Sequence, residues 1–181
     1  MMEYIPFPDK KYQIIYADPP WSYKDKACAG KRGASFKYPT QDKNWLRNLP
    51  IDQIREKDCV LFLWVTMPLL DEGLELIKSW GFEYKTVGFT WLKRNRKADT
   101  WFFGMGNWTR SNAEICLIGK RGNIKRVDAS VSSVIDTPIE RHSKKPDCVR
   151  EKIVKLMGDR PRIELFAREK SDGWDVWGNE I

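Results

Sequence analysis

The strongest constraint on this chain is a short apolar run that stops at two consecutive prolines. Tyr12-Gln13-Ile14-Ile15-Tyr16-Ala17 has the length and β-branched content of a buried strand, and Asp18-Pro19-Pro20-Trp21 follows at once. Proline lacks the backbone donor that a sheet ladder needs, so the strand must end there. The turn that results is stiff and rich in acceptors, with a carboxylate at one end and an indole at the other. It suits an amino group carried on a flat ring. The carboxylate and a proline carbonyl accept the two N–H bonds while the indole stacks on the ring face. Such contacts draw the nitrogen lone pair out of conjugation and aim it at an electrophile without a strong base. The same residues also read as a strand-terminating turn with a structural tryptophan, and the turn alone does not separate the two readings.

Downstream, 22–38 holds Lys24, Lys26, Lys31, Arg32 and Lys37 with two glycines and no apolar periodicity, a mobile basic loop beside the turn. Thr40 is placed to cap a short helix through Trp45 and Leu46, with Pro50 beyond it. The continuous apolar run 59–65 predicts a strand covered on both faces. From Thr66 and Pro68 a helix begins whose Leu70, Leu74 and Ile77 share a face, and Gly81 ends it. Further strands are expected over 86–92, 113–119 and 131–135, with a turn at 120–123. Pro146 opens a helix with Val149, Ile153 and Leu156 on one side, closed by Gly158. The last strand is 162–167, and 174–181 reads as an irregular tail. Strands alternating with helices, without repeats or a low-complexity linker, predict one α/β domain over 1–181 with a mostly parallel sheet. In such sheets ligands gather outside the carboxyl ends of strands, where Asp18 and Arg168 fall.

Net charge bears on the class of partner. A value of +7 with nine tryptophans favours a polyanion carrying rings to stack, so nucleic acid ranks above a membrane surface. Between 93 and 110, basic residues stand near Trp101, Phe102, Phe103 and Trp108, which reads either as a clamp for a strand and its bases or as a loop folding its aromatics onto the core. No signal peptide or long apolar segment is evident, so the expected location is cytoplasmic, with no membrane partner. The single histidine, His142, and four scattered cysteines without a Cys-x-x-Cys pair make neither a zinc site nor a histidine-based triad, and no metal is assigned. Cys59 and Cys116 read as small core residues.

Several segments in one order carry a resemblance over nearly the whole chain. They are Ala17 to Trp21, Leu61 to Thr66, Trp80-Gly81-Phe82, Trp91-Leu92-Lys93, Gly106 to Glu114, Lys145-Pro146-Asp147, Ile163 to Arg168 and Gly178-Asn179-Glu180. On these the chain resembles the adenine-N6 methyltransferases of the family of the mRNA adenosine methyltransferase catalytic subunit, in its bacterial and phage DNA-modifying branch. The resemblance implies a Rossmann-like α/β methyltransferase using S-adenosylmethionine (AdoMet), with helices on both faces of the sheet and the catalytic turn N-terminal to the cofactor segment.

It also implies roles for residues. Asp18, Pro19, Pro20 and Trp21 form the catalytic turn. Asp18 and the Pro19 carbonyl hold the target amine at the edge of the cofactor site, and Trp21 packs by the base. Lys145 meets the cofactor carboxylate, Arg168 the ribose, and Asn179 and Glu180 the ribose and adenine. Many members carry glutamine where Glu180 stands, yet a carboxylate also accepts from ribose hydroxyls. The acidic residue that often reads the cofactor adenine upstream of the turn has no counterpart at its usual distance, leaving Asp9 or backbone near Pro8 as substitutes. Arg110, within Trp108 to Asn112, matches the DNA-modifying branch. The expected reaction is direct in-line transfer to the N6 amine of adenine in DNA, without a covalent protein intermediate. Adenosine in RNA, cytosine N4 and a catalytically silent nucleic-acid-binding subunit remain the alternatives.

Overall fold

The computed structural model describes residues 5–21, 42–106, 108–141 and 143–181. The basic stretch 22–38, with Cys28, and also Thr40, Asn107 and His142 lie outside the described residues. Seven strands form one sheet in the order β5-β3-β4-β2-β1-β6-β7. They are β1 (Tyr12–Ala17), β2 (Arg55–Val65), β3 (Glu83–Arg94), β4 (Glu114–Arg121), β5 (Val134–Pro138), β6 (Arg162–Leu165) and β7 (Asp175–Trp177). All neighbouring pairs are parallel except those of β4, which runs against both β2 and β3. The sheet is thus mostly parallel, as expected, with one reversed strand near its middle.

Alternating side chains divide β1 and β2 between two cores. Ile15, Ala17, Leu61, Leu63 and Val65 enter one, while Ile14, Tyr16, Val60, Phe62 and Trp64 enter the other. Helices α1 (Lys43–Arg47) and α2 (Leu70–Ser79) cover the first through Leu46, Leu76 and Ile77. Helix α3 (Cys148–Met157) covers the second through Val149, Ile153 and Met157. The last seven residues of β2 are all buried, each aliphatic among them worth about 1.5–3 kcal/mol of transfer free energy.

Several expectations shift. The side chain of Asp42 caps α1, accepting from Asn44 N at 3.2 Å. A turn of 3-10 helix, Met67–Leu69, precedes α2 and rotates its buried face to Gly73, Leu76 and Ile77, which leaves Leu70 exposed. β5 starts three residues later than expected, and the tail contains β7, parallel to β6. Gly158 does close α3, at φ 82°, a left-handed conformation that favours glycine. Cys59 and Cys116 are buried.

Candidate active site

β1, β6 and β7 lie side by side and end at one edge of the sheet, so the residues just beyond them collect there. Asp18 follows β1, Arg168 follows β6, and Asn179 and Glu180 follow β7. Because β4 is reversed, its first residue, Glu114, reaches this same edge. Lys93 reaches it from near the carboxyl end of β3, and Lys145 from the segment before α3.

Four of these side chains form a line of alternating charge. Lys145 Nζ donates to Asp18 Oδ2 at 2.8 Å and pairs with Glu114 Oε2 at 3.2 Å. Lys93 Nζ donates to Glu114 Oε1 at 2.5 Å. The Lys145 ammonium also stands 5.6 Å from the centre of the Trp64 ring. Asp18 is the most open of the four, its side chain 29% accessible against 10% for Lys145, so it is the one placed to meet a ligand.

The environments push the two acids apart. Burial raises the Asp18 carboxyl above its ordinary value, and Lys145 offsets only part of that. Burial would also raise Glu114, but Lys145 and Lys93 outweigh it and hold the carboxyl at about 2. Burial works against the Lys145 ammonium, yet Asp18 and Glu114 together raise its affinity for the proton. Glu114 therefore stays ionised and Lys145 stays charged, while Asp18 is the group whose state a ligand most readily changes.

The surrounding braces are specific. Arg150, in the first turn of α3, grips the buried Glu164 of β6 at 2.6 and 3.1 Å and Asp147 at 2.8 Å, which pins the Lys145 segment to the sheet. Arg168 Nε pairs with Glu180 Oε1 at 3.1 Å, joining the ends of β6 and β7. Asn179 is exposed beside Glu180.

Two expected members are placed differently. Trp21 is buried in the core, its indole N–H donating to the Trp64 carbonyl at 3.1 Å, because that face of the sheet needs an apolar cover at the strand end. It offers no open plane for a base in this structure, and its position beneath the turn makes it a support. Asp9 is exposed next to Lys10, which pairs with Asp175 at the start of β7, so it lies toward the opposite edge of the sheet from Asp18. Pro19 is buried, and its carbonyl accepts from Trp21 N at 2.8 Å, leaving one lone pair.

The sequence reading gives no role to Glu114 or Arg150, and gives Lys93 one only as a member of the basic 93–110 stretch. The available signal was a charged residue at the end of an apolar strand, the feature that marks Asp18. The donor set fits the two ends of AdoMet. Lys145 matches an amino-acid carboxylate, and Arg168 with Glu180 matches ribose hydroxyls.

Comparison with known proteins agrees with this arrangement. The MT-A70 family model matches residues 12–180. The chain is 39% identical over 192 aligned residues to the Type II methyltransferase M.MunI of Mycoplasma sp, covering 96% of this chain and 79% of that protein. It is 29% identical to the N(6)-adenosine-methyltransferase catalytic subunit METTL3 of Homo sapiens and 28% identical to an N(6)-adenosine-methyltransferase MT-A70-like protein of Drosophila melanogaster. In both cases 94% of this chain is covered, but only 28% and 27% of the relatives' own length. With charged groups gathered at one edge of a mostly parallel sheet and a family match over nearly its whole length, the chain belongs to the MT-A70 family and is an AdoMet-dependent methyltransferase.

Proposed function

We propose that this enzyme methylates the N6 amine of adenine in DNA. The observation that carries the reading is Asp18, held by Lys145 at 2.8 Å at the head of a turn whose two prolines offer carbonyl acceptors and no backbone donor. Bound AdoMet supplies an electrophilic sulfonium methyl. Asp18 and the remaining lone pair of the Pro19 carbonyl accept the two N–H bonds and orient the nitrogen lone pair. As positive charge develops on that nitrogen, the carboxylate stabilises it, and its burial-raised proton affinity strengthens the hydrogen bond. Lys145 and Glu114 keep Asp18 in place, and Lys145 takes the cofactor carboxylate.

Two findings favour DNA as the substrate: the Type II methyltransferase relative, matched over most of its length, and Arg110 in its Trp-Thr-Arg-Ser-Asn segment. Adenine as the base is supported by the N(6)-adenosine-methyltransferases among the relatives. In a duplex the base must leave the stack, at a cost of a few kcal/mol. The test is incubation of the purified protein with labelled AdoMet and DNA or, in parallel, RNA, followed by digestion to nucleosides. N6-methyladenine is the expected product. Label in N4-methylcytosine, or in RNA alone, overturns the assignment.

A further inference from the structure

The segment joining β3 to β4 doubles back on itself and is firmly braced. Arg94 and Trp101 form an antiparallel bridge, Asn95 N donates to the Thr100 carbonyl at 2.9 Å, and Gly104 N donates to the Ser111 carbonyl at 2.7 Å. Asn112 closes the base, accepting from Lys93 N and donating to the Lys93 carbonyl, both at 2.9 Å. A Cβ at Gly106 would collide with the Thr109 carbonyl, so a glycine is what lets the tip turn this tightly.

This ordered scaffold nevertheless leaves its large apolar side chains outside. Trp101 and Phe103 are exposed, Met105 is 90% exposed and Trp108 99%. Burying such rings would stabilise the chain, so their exposure on a braced loop points to a partner. Arg94 lies 4.1 Å from the Trp101 ring centre and Arg110 5.8 Å from that of Phe103. From Lys93 to Arg110 there are five cations and one acid, Asp99. Among the described residues Arg96, Lys97 and Arg110 pair with no carboxylate. An apolar protein surface would not complement those charges, whereas phosphates would. The loop also starts at Lys93, the residue that holds Glu114 in the active site.

We infer that the loop is a base-stacking platform for the DNA strand that carries the target adenine, with Trp108 as its outermost plane. This rests on the proposed function: the bases beside the target stack on the exposed rings, and Arg96, Lys97 and Arg110 follow the phosphates.

The test measures binding of a short adenine-rich single-stranded DNA to the full chain by fluorescence anisotropy across a salt series. Trp108→Ala is expected to weaken binding about tenfold while leaving the slope of affinity against salt unchanged, and Trp108→Phe to retain most of the affinity. Arg96→Ala instead lowers that slope by about 0.7. Unchanged thermal melting of Trp108→Ala, whose side chain touches almost nothing, confirms that the fold is intact. Equal affinity of Trp108→Ala and the wild type overturns the platform. So does an equal loss on an abasic strand of the same length, which would mark a backbone contact. Self-association that disappears in Trp108→Ala, without any change in DNA binding, assigns the patch to a second copy and also overturns it. If the wild type transfers no methyl to adenine but Trp108 still governs DNA binding, the proposed function fails and the platform stands.

Discussion

Replacing Glu114 by glutamine tests the charge line at its centre. Its carboxyl sits at about 2 against an ordinary 4.5, because Lys145 and Lys93 outweigh the burial that would raise it. That difference corresponds to roughly 3 kcal/mol of native-state stabilisation at neutral pH. For a chain of this size, removing it lowers the melting temperature by roughly 6–12 °C. A carboxyl depressed in the native state stabilises fully above its unfolded value and loses that contribution as pH falls toward the folded one. The gap between wild type and Glu114→Gln therefore narrows to roughly 2 kcal/mol by about pH 3.5. Urea unfolding of both proteins at neutral pH and near pH 3.5 measures it. A second readout separates this from simple damage. Glu114 raises the Asp18 carboxyl, so in Glu114→Gln the acid limb of the methylation rate moves to lower pH. Equal stability at neutral pH, a gap that does not narrow in acid, or an unmoved acid limb would each refute the reasoning.

Asp18→Ala is expected to abolish methyl transfer while AdoMet binding stays within a few-fold; wild-type rates on DNA would remove Asp18 from its role. Lys145→Ala, which takes the lysine from Asp18 and leaves Glu114 with Lys93 alone, is expected to weaken AdoMet binding roughly ten- to hundredfold by calorimetry, and an unchanged affinity would exclude it from the cofactor site. Asp42→Ala removes the α1 cap and is expected to cost about 1 kcal/mol in urea unfolding without altering turnover, since α1 lies on the face away from Lys145 and α3.

Local signals were legible wherever chemistry forces a boundary. The double proline ends β1 after Ala17, and Gly158 ends α3. The unbroken apolar run in β2 shows a strand buried on both faces, yet nothing in it encodes direction. That is why Glu114 passed unnoticed: a charged residue at the start of a strand reaches the ligand edge only if the strand is reversed. β7, at three residues, is too short for periodicity, and β5 exposes Val134, Asp136 and Pro138 at the sheet margin, which blurs its pattern. Trp21 follows the turn in sequence, but which side of the chain its ring takes depends on the core beneath it. Asp9 lies far from Asp18 for a related reason, because the six residues of β1 carry the chain across the sheet between them.

The reversal of β4 has one more outcome. Since β3 leaves and β4 returns at the same rim, everything between Asn95 and Ser111 can lengthen, shorten or change composition without shifting the register of any strand pair. Such a segment behaves as an exchangeable cassette: swapping it between relatives should change how tightly the substrate strand is gripped while the methyl-transfer apparatus beneath keeps working.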